Sequence, residues 1–323
     1  MKTIMRAGLL AAAFAVASFA QAQGAADYPN RPIRILLPSS PGGGGDLVGR
    51  LLADQLSKRL GQPLIVENNA GASGTIAVNQ VAHAKPDGYT IGLGTMTTTV
   101  LAPSVYPNLP YDPIKDLTYL AGVGTSPIMM AVTTDFPANN LKEFISYAKS
   151  SGKPIQFGTW GLGSTGHFCA EVLAQKTGVQ LEHVPYKGTA PVVQAMMGGE
   201  IRLAWLDMAS GSTGVKTGKI KPIAMCTRRT TNFPDVATYK EQGVDFDEWT
   251  GWLMLAPAGV PKAIADKIGA ALKDTLKDPA IAARYVDWGI TPDYTPGEEQ
   301  AAINKHEVEV WKKVAKDANM KLE

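Results

Sequence analysis

Two glycine-rich segments are the residues of this 323-residue chain best suited to chemistry. The first runs from Ser39 through four consecutive glycines to Asp46, and the second runs from Thr159 to His167. Each follows a short apolar run and precedes apolar residues spaced by three and four, which indicates a strand-to-helix turn. Amides at the start of a helix point outward, and the helix dipole there favours negative charge. The two turns therefore predict two anion sites.

An ordinary connection is the simpler explanation of the first turn. Each glycine costs up to about 1 kcal/mol of chain entropy relative to alanine, and a plain turn needs only one or two. Four in a row, at positions 42–45, are more than a turn requires. We therefore favour a binding function for this segment.

The first residues predict export. A short basic stretch ends at Arg6, an uncharged apolar run covers residues 7–20, and Ala20-Gln21-Ala22 matches a signal-peptidase site. The run is shorter than the roughly 20 residues that a membrane-spanning helix needs. A signal peptide of residues 1–22, cleaved after Ala22, is favoured over an uncleaved anchor.

The second turn also matches a dinucleotide fingerprint, with Gly161, Gly163 and Gly166 followed by Glu182. An exported enzyme would have to carry its dinucleotide with it, so nicotinamide binding is disfavoured. No P-loop or Gly-x-Ser-x-Gly elbow occurs, and the four histidines are scattered singly. We expect no catalysis, no cofactor and no metal site.

Alternating apolar segments predict α/β lobes. A strand at 33–37 leads into the first turn, and a helix at 47–60 follows, with Asp46 as its N-cap and Gly61 at its end. About 300 mature residues favour two lobes. We assign residues 23–127 and 251–323 to the first lobe, with the terminal helices packed on it, and residues 128–250 to an inserted second lobe.

The net charge of the chain limits the possible binding partners. Cleavage would remove Lys2 and Arg6 and no acid, so 29 of the 31 basic residues remain against 29 acidic ones. A neutral chain without a basic run argues against nucleic acid as a partner.

Cys169 and Cys226 could form a disulfide or stay as two small buried side chains. We favour the second alternative, because no spacing argument links them.

Six motifs, in their order along the chain, resemble those of one known family. The sequence resembles the tripartite tricarboxylate transporter substrate-receptor family, also called the Bug receptors, over essentially the whole mature chain. The motifs include Tyr28-Pro29-Asn30-Arg31-Pro32, Leu60-Gly61-Gln62-Pro63, Pro86-Asp87-Gly88-Tyr89-Thr90, Leu109-Pro110-Tyr111-Asp112-Pro113, Val184-Pro185-Tyr186-Lys187-Gly188 and Ala256-Pro257-Ala258-Gly259-Val260-Pro261.

The resemblance implies a periplasmic, monomeric, two-lobed Venus-flytrap binding protein, each lobe a mostly parallel sheet flanked by helices. It would close on a small di-, tri- or aromatic carboxylate and hand it to integral-membrane transporter subunits. A sensor that presents the ligand to a membrane kinase is the alternative. The implied ligand-binding residues are Ser39, Ser40, Gly42, Gly43, Gly44, Gly45, Asp46, Thr97, Thr99, Thr159, Trp160, Gly161, Gly163, Ser164, Thr165, His167 and Asp207.

Three departures from the family pattern surround the implied pocket. They are Ser39-Ser40 before the first glycines, Thr99 and Ala102 in the third loop, and Trp160 where a small residue is common. Trp160 is either an aromatic wall of the pocket or a residue packed on its own lobe. His167 either contacts the ligand or caps its own loop.

Overall fold

The computed structural model describes residues 27–247 and 250–317, so the predicted signal peptide lies outside the described residues. The strands are β1 (Ile33–Leu37), β2 (Leu64–Asn68), β3 (Thr90–Thr95), β4 (Leu117–Thr125), β5 (Ile128–Thr133), β6 (Ile155–Thr159), β7 (Leu181–Pro185), β8 (Leu203–Asp207), β9 (Ile220–Met225), β10 (Gly251–Pro257) and β11 (Thr295–Pro296).

Ten helices accompany these strands in the described part of the chain. They are α1 (Gly44–Leu60), α2 (Thr75–Ala82), α3 (Ala102–Val105), α4 (Leu141–Ser150), α5 (Thr165–Thr177), α6 (Thr189–Gly198), α7 (Met208–Lys216), α8 (Lys262–Leu276), α9 (Pro279–Asp287) and α10 (Gly297–Asp317). A π-helical turn, Thr97–Leu101, joins β3 to α3.

Two mixed sheets carry the fold. The first has six strands in the order β11-β4-β10-β3-β1-β2, and the second has five in the order β7-β6-β8-β5-β9. Strands β1, β2 and β3 pair in parallel, as do β6, β7 and β8, while β10 and β5 are each antiparallel to both neighbours. The predicted pair of α/β lobes is confirmed, but the sheets are mixed and not mostly parallel, because β10 and β5 run antiparallel to both of their neighbours. The first sheet draws strands from both ends of the described chain, and the second draws its strands from the middle.

Strand β4 was missed by the sequence analysis. It contains Gly122 and Gly124, which lower strand propensity and interrupt the apolar run. The tertiary packing explains the first glycine, because a Cβ atom on Gly122 would lie 2.3 Å from Oε1 of Gln300 in α10. Glycine at this position therefore leaves room for the helix that covers the strand, while β10 and β11 pair with the strand on either side.

Helix α10 touches both parts of the molecule. Its contacts with β4 place its first half on the first sheet. Further along, the Trp311 ring packs edge-on against Phe168 of α5, with ring centroids 4.6 Å apart, and also against Phe246. The last helix is thus a third link between the two halves. The other two links are the chain segments that connect the sheets, one after β4 and one before β10.

The prediction of two unpaired cysteines is wrong. Cys169 and Cys226 form a disulfide, with their Cα atoms 6.0 Å apart. Helix α5 packs across the second sheet, and the amide of Cys226 donates to the carbonyl of Ile128 at the start of β5, which brings the two residues together. This proximity arises from tertiary packing, so the sequence spacing gave no sign of it.

Asp46 is not the N-cap of α1, as the sequence analysis predicted. Gly43 occupies that position, and Asp46 lies in the first turn of the helix. Its Oδ2 atom accepts a hydrogen bond of 2.9 Å from the Gly42 amide, and its Oδ1 atom lies 2.7 Å from Nε of Arg50. The Asp46 carboxylate therefore stabilises the glycine loop through its hydrogen bond with the Gly42 amide.

Candidate functional site

A cavity of about 60 Å³ lies between the two sheets. The cavity is small, since an engineered apolar cavity that holds one benzene ring has a volume of about 150 Å³. Seven of the residues implied by the resemblance line it. They are Ser39, Gly44, Gly45, Thr97, Trp160, Thr165 and Asp207.

The start of α1 forms one wall of the cavity. Gly44 and Gly45 are the first two residues of the helix, and their amides donate to no atom of the described residues. The hydroxyl oxygens of Ser39 and Ser40 are buried and also have no partner among the described residues. Unsatisfied amides at a helix start, next to unpaired hydroxyls, form a hydrogen-bonding surface that fits an anion.

The opposite wall comes from the second sheet. Thr165 begins α5, and the preceding Ser164 caps that helix by accepting from the His167 amide at 3.2 Å. Gly188, with a φ of 108°, precedes α6, and both Gly188 and Thr189 line the cavity. Helices from both halves of the molecule therefore begin at the same cavity, as the two glycine turns predicted.

Asp207 is a buried carboxylate in this wall, with 7% of its surface exposed. It caps α7, and its two oxygens accept from the amide and the hydroxyl of Ser210 at 2.9 and 3.0 Å. A Cβ atom placed on Gly44 would lie 2.1 Å from its Oδ1 atom. No lysine, arginine or histidine belongs to the described lining, so Asp207 is its one ionisable group.

Hydrogen bonds close the cavity across the two halves. The hydroxyls of Thr97 and Thr165 lie 2.8 Å apart, and the Thr165 amide donates to the Thr97 hydroxyl at 3.1 Å. The carbonyl of Leu162 accepts from Ser73 at 2.6 Å and from Tyr106 at 2.9 Å. These contacts describe a closed conformation.

The two chain segments that connect the sheets, one after β4 and one before β10, lie at the back of the cavity. The Ser126 amide donates to the Thr250 carbonyl at 3.2 Å, and the Thr250 hydroxyl donates to the Ser126 carbonyl. Both residues also line the cavity. The two connecting segments are therefore hydrogen-bonded to each other at this point.

The other ten implied residues are not among those that line the cavity. Most of them shape the turns: Thr159 bonds the Gly161 carbonyl at 3.1 Å, and Thr99 accepts from Asn304 at 2.7 Å. They are Ser40, Gly42, Gly43, Asp46, Thr99, Thr159, Gly161, Gly163, Ser164 and His167.

His167 caps its own loop, which was the second of its two predicted roles. Its Nδ1 atom accepts from the Gly163 amide at 3.1 Å. The ring stacks on His183, with centroids 4.1 Å apart, and His183 stacks in turn on Phe157. Burial, and then the neighbouring His167 ring, lower the pKa of His183 to about 3.

Trp160 shows features of both of its predicted roles. It is half-buried and lines the cavity, and its ring also packs on Gly166 of α5. Twelve further lining residues were not predicted from the sequence. Among them, only Gly188 lies in one of the six motifs and directly before a helix. They are Pro38, Ala70, Ser73, Thr95, Met96, Ser126, Ile128, Gly188, Thr189, Thr250, Gly251 and Trp252.

Two α/β lobes closed on a small polar cavity, with helices that begin at it, define a two-lobed solute-binding protein. The chain belongs to the tripartite tricarboxylate transporter receptor family: the family described as "Tripartite tricarboxylate transporter family receptor" matches residues 48–320. A curated relative, a UPF0065 protein of Bordetella pertussis, is 35% identical over 267 residues, which cover 82% of each chain.

Two solved structures are similar over nearly the whole chain. The first is Rpa4515 of R. palustris with adipate, at a TM-score of 0.88 and 30% identity, covering 92% of this chain and 100% of that one. The second is MatC of Rhodopseudomonas palustris with bound malate, at a TM-score of 0.84 and 30% identity, covering 89% and 99%. In the described part of the chain, no helix is long and apolar enough to cross a membrane, and no cluster of potential metal ligands occurs.

Proposed function

We propose that this protein is a periplasmic receptor that captures a small carboxylate and delivers it to the integral-membrane subunits of a transporter. The hydrogen-bonding surface at the start of α1 carries the proposal. There the free amides of Gly44 and Gly45 and the unpaired hydroxyl of Ser39 lie at one cavity. The two similar structures support it, because adipate and malate are both carboxylates.

A carboxylate suits this surface for a physical reason. Hydrogen bonds to an ionised acceptor are roughly twice as strong as neutral ones, and helix dipoles add to them without any cationic side chain. The ligand oxygens would satisfy donors that otherwise stay buried and unpaired, which is the costly state for a polar group. Neutral donors therefore suffice to hold the anion.

The remaining parts of the proposal follow from the sequence. Cleavage after Ala22 would release the mature chain into the periplasm. We propose lobe boundaries at 23–127 with 251–323 and at 128–250, with Ser126 and Thr250 in the two connecting segments. The receptor would act as a monomer and close around its ligand by rotation at these segments.

Calorimetric titration of an acid and its methyl ester tests the proposal. The acid should bind, and at about 1,000 times its dissociation constant it should raise the free energy of unfolding by roughly 4 kcal/mol. The ester should bind far more weakly, because it lacks the charge. Equal binding of acid and ester would contradict the anion site.

Ser39→Ala probes the same surface. Loss of one hydrogen bond to a charged group costs about 1.5–3 kcal/mol, which is roughly a 10- to 150-fold loss of affinity. Ser146→Ala is the matched control, because Ser146 is exposed on α4. The control variant should bind as the natural protein does.

A further inference from the structure

We infer that Asn304 is a positioning residue for lobe closure: through Thr99 it holds the π-helical turn that presents Thr97 to the second lobe. This inference goes beyond the proposed function, because it concerns how the closed state is held and is independent of the ligand. It comes from a series of buried hydrogen bonds that runs from α10 to the contact between the lobes.

The hydroxyl of Thr97 bonds the first residue of α5 in the opposite lobe. It accepts from the Thr165 amide at 3.1 Å, and the two hydroxyl oxygens lie 2.8 Å apart. The Thr165 amide belongs to the first turn of its helix, where amides have no partner within the helix. Thr97 supplies that partner from the first lobe. Both side chains are buried in the closed conformation.

Thr97 opens the five-residue π-helical turn, and all five residues of the turn are buried. Such turns are rare in proteins and occur frequently at functional sites. Hydroxyl groups hold the entry of this one: Thr98 and Thr99 both donate to the carbonyl of Thr95, at 3.1 and 3.0 Å. The position of Thr97 therefore depends on bonds that its neighbours in the turn make.

Asn304 of α10 reaches the turn from a distant part of the chain. Its Nδ2 atom donates to the Thr99 hydroxyl at 2.7 Å, and its Oδ1 atom accepts from Nε2 of Gln300 at 2.6 Å. Asn304 is fully buried, and Gln300 is nearly so. A buried amide is costly unless it is hydrogen-bonded, so these bonds favour one arrangement of α10 against the turn.

Helix α10 supports the turn along one face. Four buried side chains, spaced by four, four and three residues, form that face. They are Gln300, Asn304, Val308 and Trp311. Val308 and Trp311 share a hydrophobic cluster with Val100 of the turn. Apolar contacts of this kind are non-directional, whereas the hydrogen bond from Asn304 has a direction and so sets the position of the turn.

Amide hydrogen exchange in the ligand-free mature protein, followed by NMR spectroscopy, tests the inference. The Thr165 amide should be protected in the natural protein, because it exchanges only when its bond to Thr97 opens. Thr99→Val and Asn304→Leu each remove one partner of the bond behind the turn. Each should speed exchange of the Thr165 amide by about 2- to 12-fold. Thr99→Ser keeps the hydroxyl and should exchange as the natural protein does.

Two comparisons separate positioning from a merely structural role. Amides of β1, which pairs with strands on both sides, exchange through larger openings and should keep their rates. Thr97→Val removes the acceptor itself, so adding Thr99→Val to it should bring no further change at Thr165. Thr177→Val is the control, because its hydroxyl bonds the Leu173 carbonyl at the other end of α5. Thr99→Val carries the test if Asn304→Leu fails to fold.

The inference is wrong if Thr99→Val and Asn304→Leu leave exchange at Thr165 unchanged, since Asn304 then positions nothing at the contact. It is also wrong if both variants speed exchange equally at Thr165 and in β1, because the two residues then only stabilise the lobe. A Thr165 amide that exchanges freely in the natural protein would show that the contact with Thr97 does not form. No ligand is used, so failure of the acid-and-ester titration contradicts the proposed function and leaves this inference standing.

Discussion

The Ser73 hydroxyl donates a hydrogen bond of 2.6 Å to the carbonyl oxygen of Leu162 and so joins the two lobes beside the cavity. Ser73 and its neighbour Ala72 have φ values of 55° and 49°, a left-handed conformation that costs a non-glycine residue roughly 1–2 kcal/mol. This conformation accompanies the contact with the opposite lobe. We interpret the pair as a latch for the closed state.

Ser73→Ala should weaken ligand binding by about 2- to 12-fold, because one hydrogen bond of the closed state, worth about 0.5–1.5 kcal/mol, is lost. Calorimetric titration measures the change. Ser150→Ala, at an exposed hydroxyl of α4, should have no effect. Unchanged affinity in Ser73→Ala would show that the bond does not hold the lobes together.

Gly44→Ala should abolish tight binding. The new Cβ atom would lie 2.1 Å from Oδ1 of Asp207, so the lobes could not close fully around the cavity. The ligand-free protein should keep its unfolding midpoint, because the clash is between lobes and alanine suits a helix. Gly198→Ala is the control, since its Cβ atom would come no closer than 3.8 Å to another group. Normal binding by Gly44→Ala would contradict closure at this contact.

Replacing Cys169 and Cys226 together with alanine should lower the free energy of unfolding by up to about 4 kcal/mol. The disulfide joins residues 57 apart in sequence, and loss of that link restores chain entropy to the unfolded state. Denaturant titration with and without a reducing agent measures the effect. Ligand affinity should hold within a factor of two, because neither cysteine lines the cavity. A reductant-insensitive midpoint in the natural protein would argue against the bond.

The stability of the protein should fall as the pH is lowered from about 6.5 towards about 3. The pKa of His183 is lowered from 6.5 to about 3 in the folded protein, first by burial and then by His167. In this window the unfolded chain binds a proton that the folded chain does not, so acid favours unfolding. Urea midpoints between pH 4.5 and 7.5 should show a shallower pH dependence in His183→Gln. Identical slopes would exclude His183 as the cause.

Local sequence patterns were enough to locate most strands and helices. The runs around β1 and α1, for example, combine apolar periodicity with glycine at the helix end, and such signals act between residues close in the chain. The two glycine turns were also readable, because free amides at a helix start are a property of the turn itself. The sequence therefore predicted the fold class and the side of each lobe that faces the cavity.

Tertiary structure decided which side chains meet at that cavity. Trp252 joins Trp160, and Asp207 faces Gly44, only because the two sheets close on each other. The same holds for the disulfide, which depends on a helix packed across the second sheet, and for β4, which pairs with strands from a distant part of the chain. Contacts between residues far apart in sequence carry no local periodicity, so they arise from packing of the whole chain.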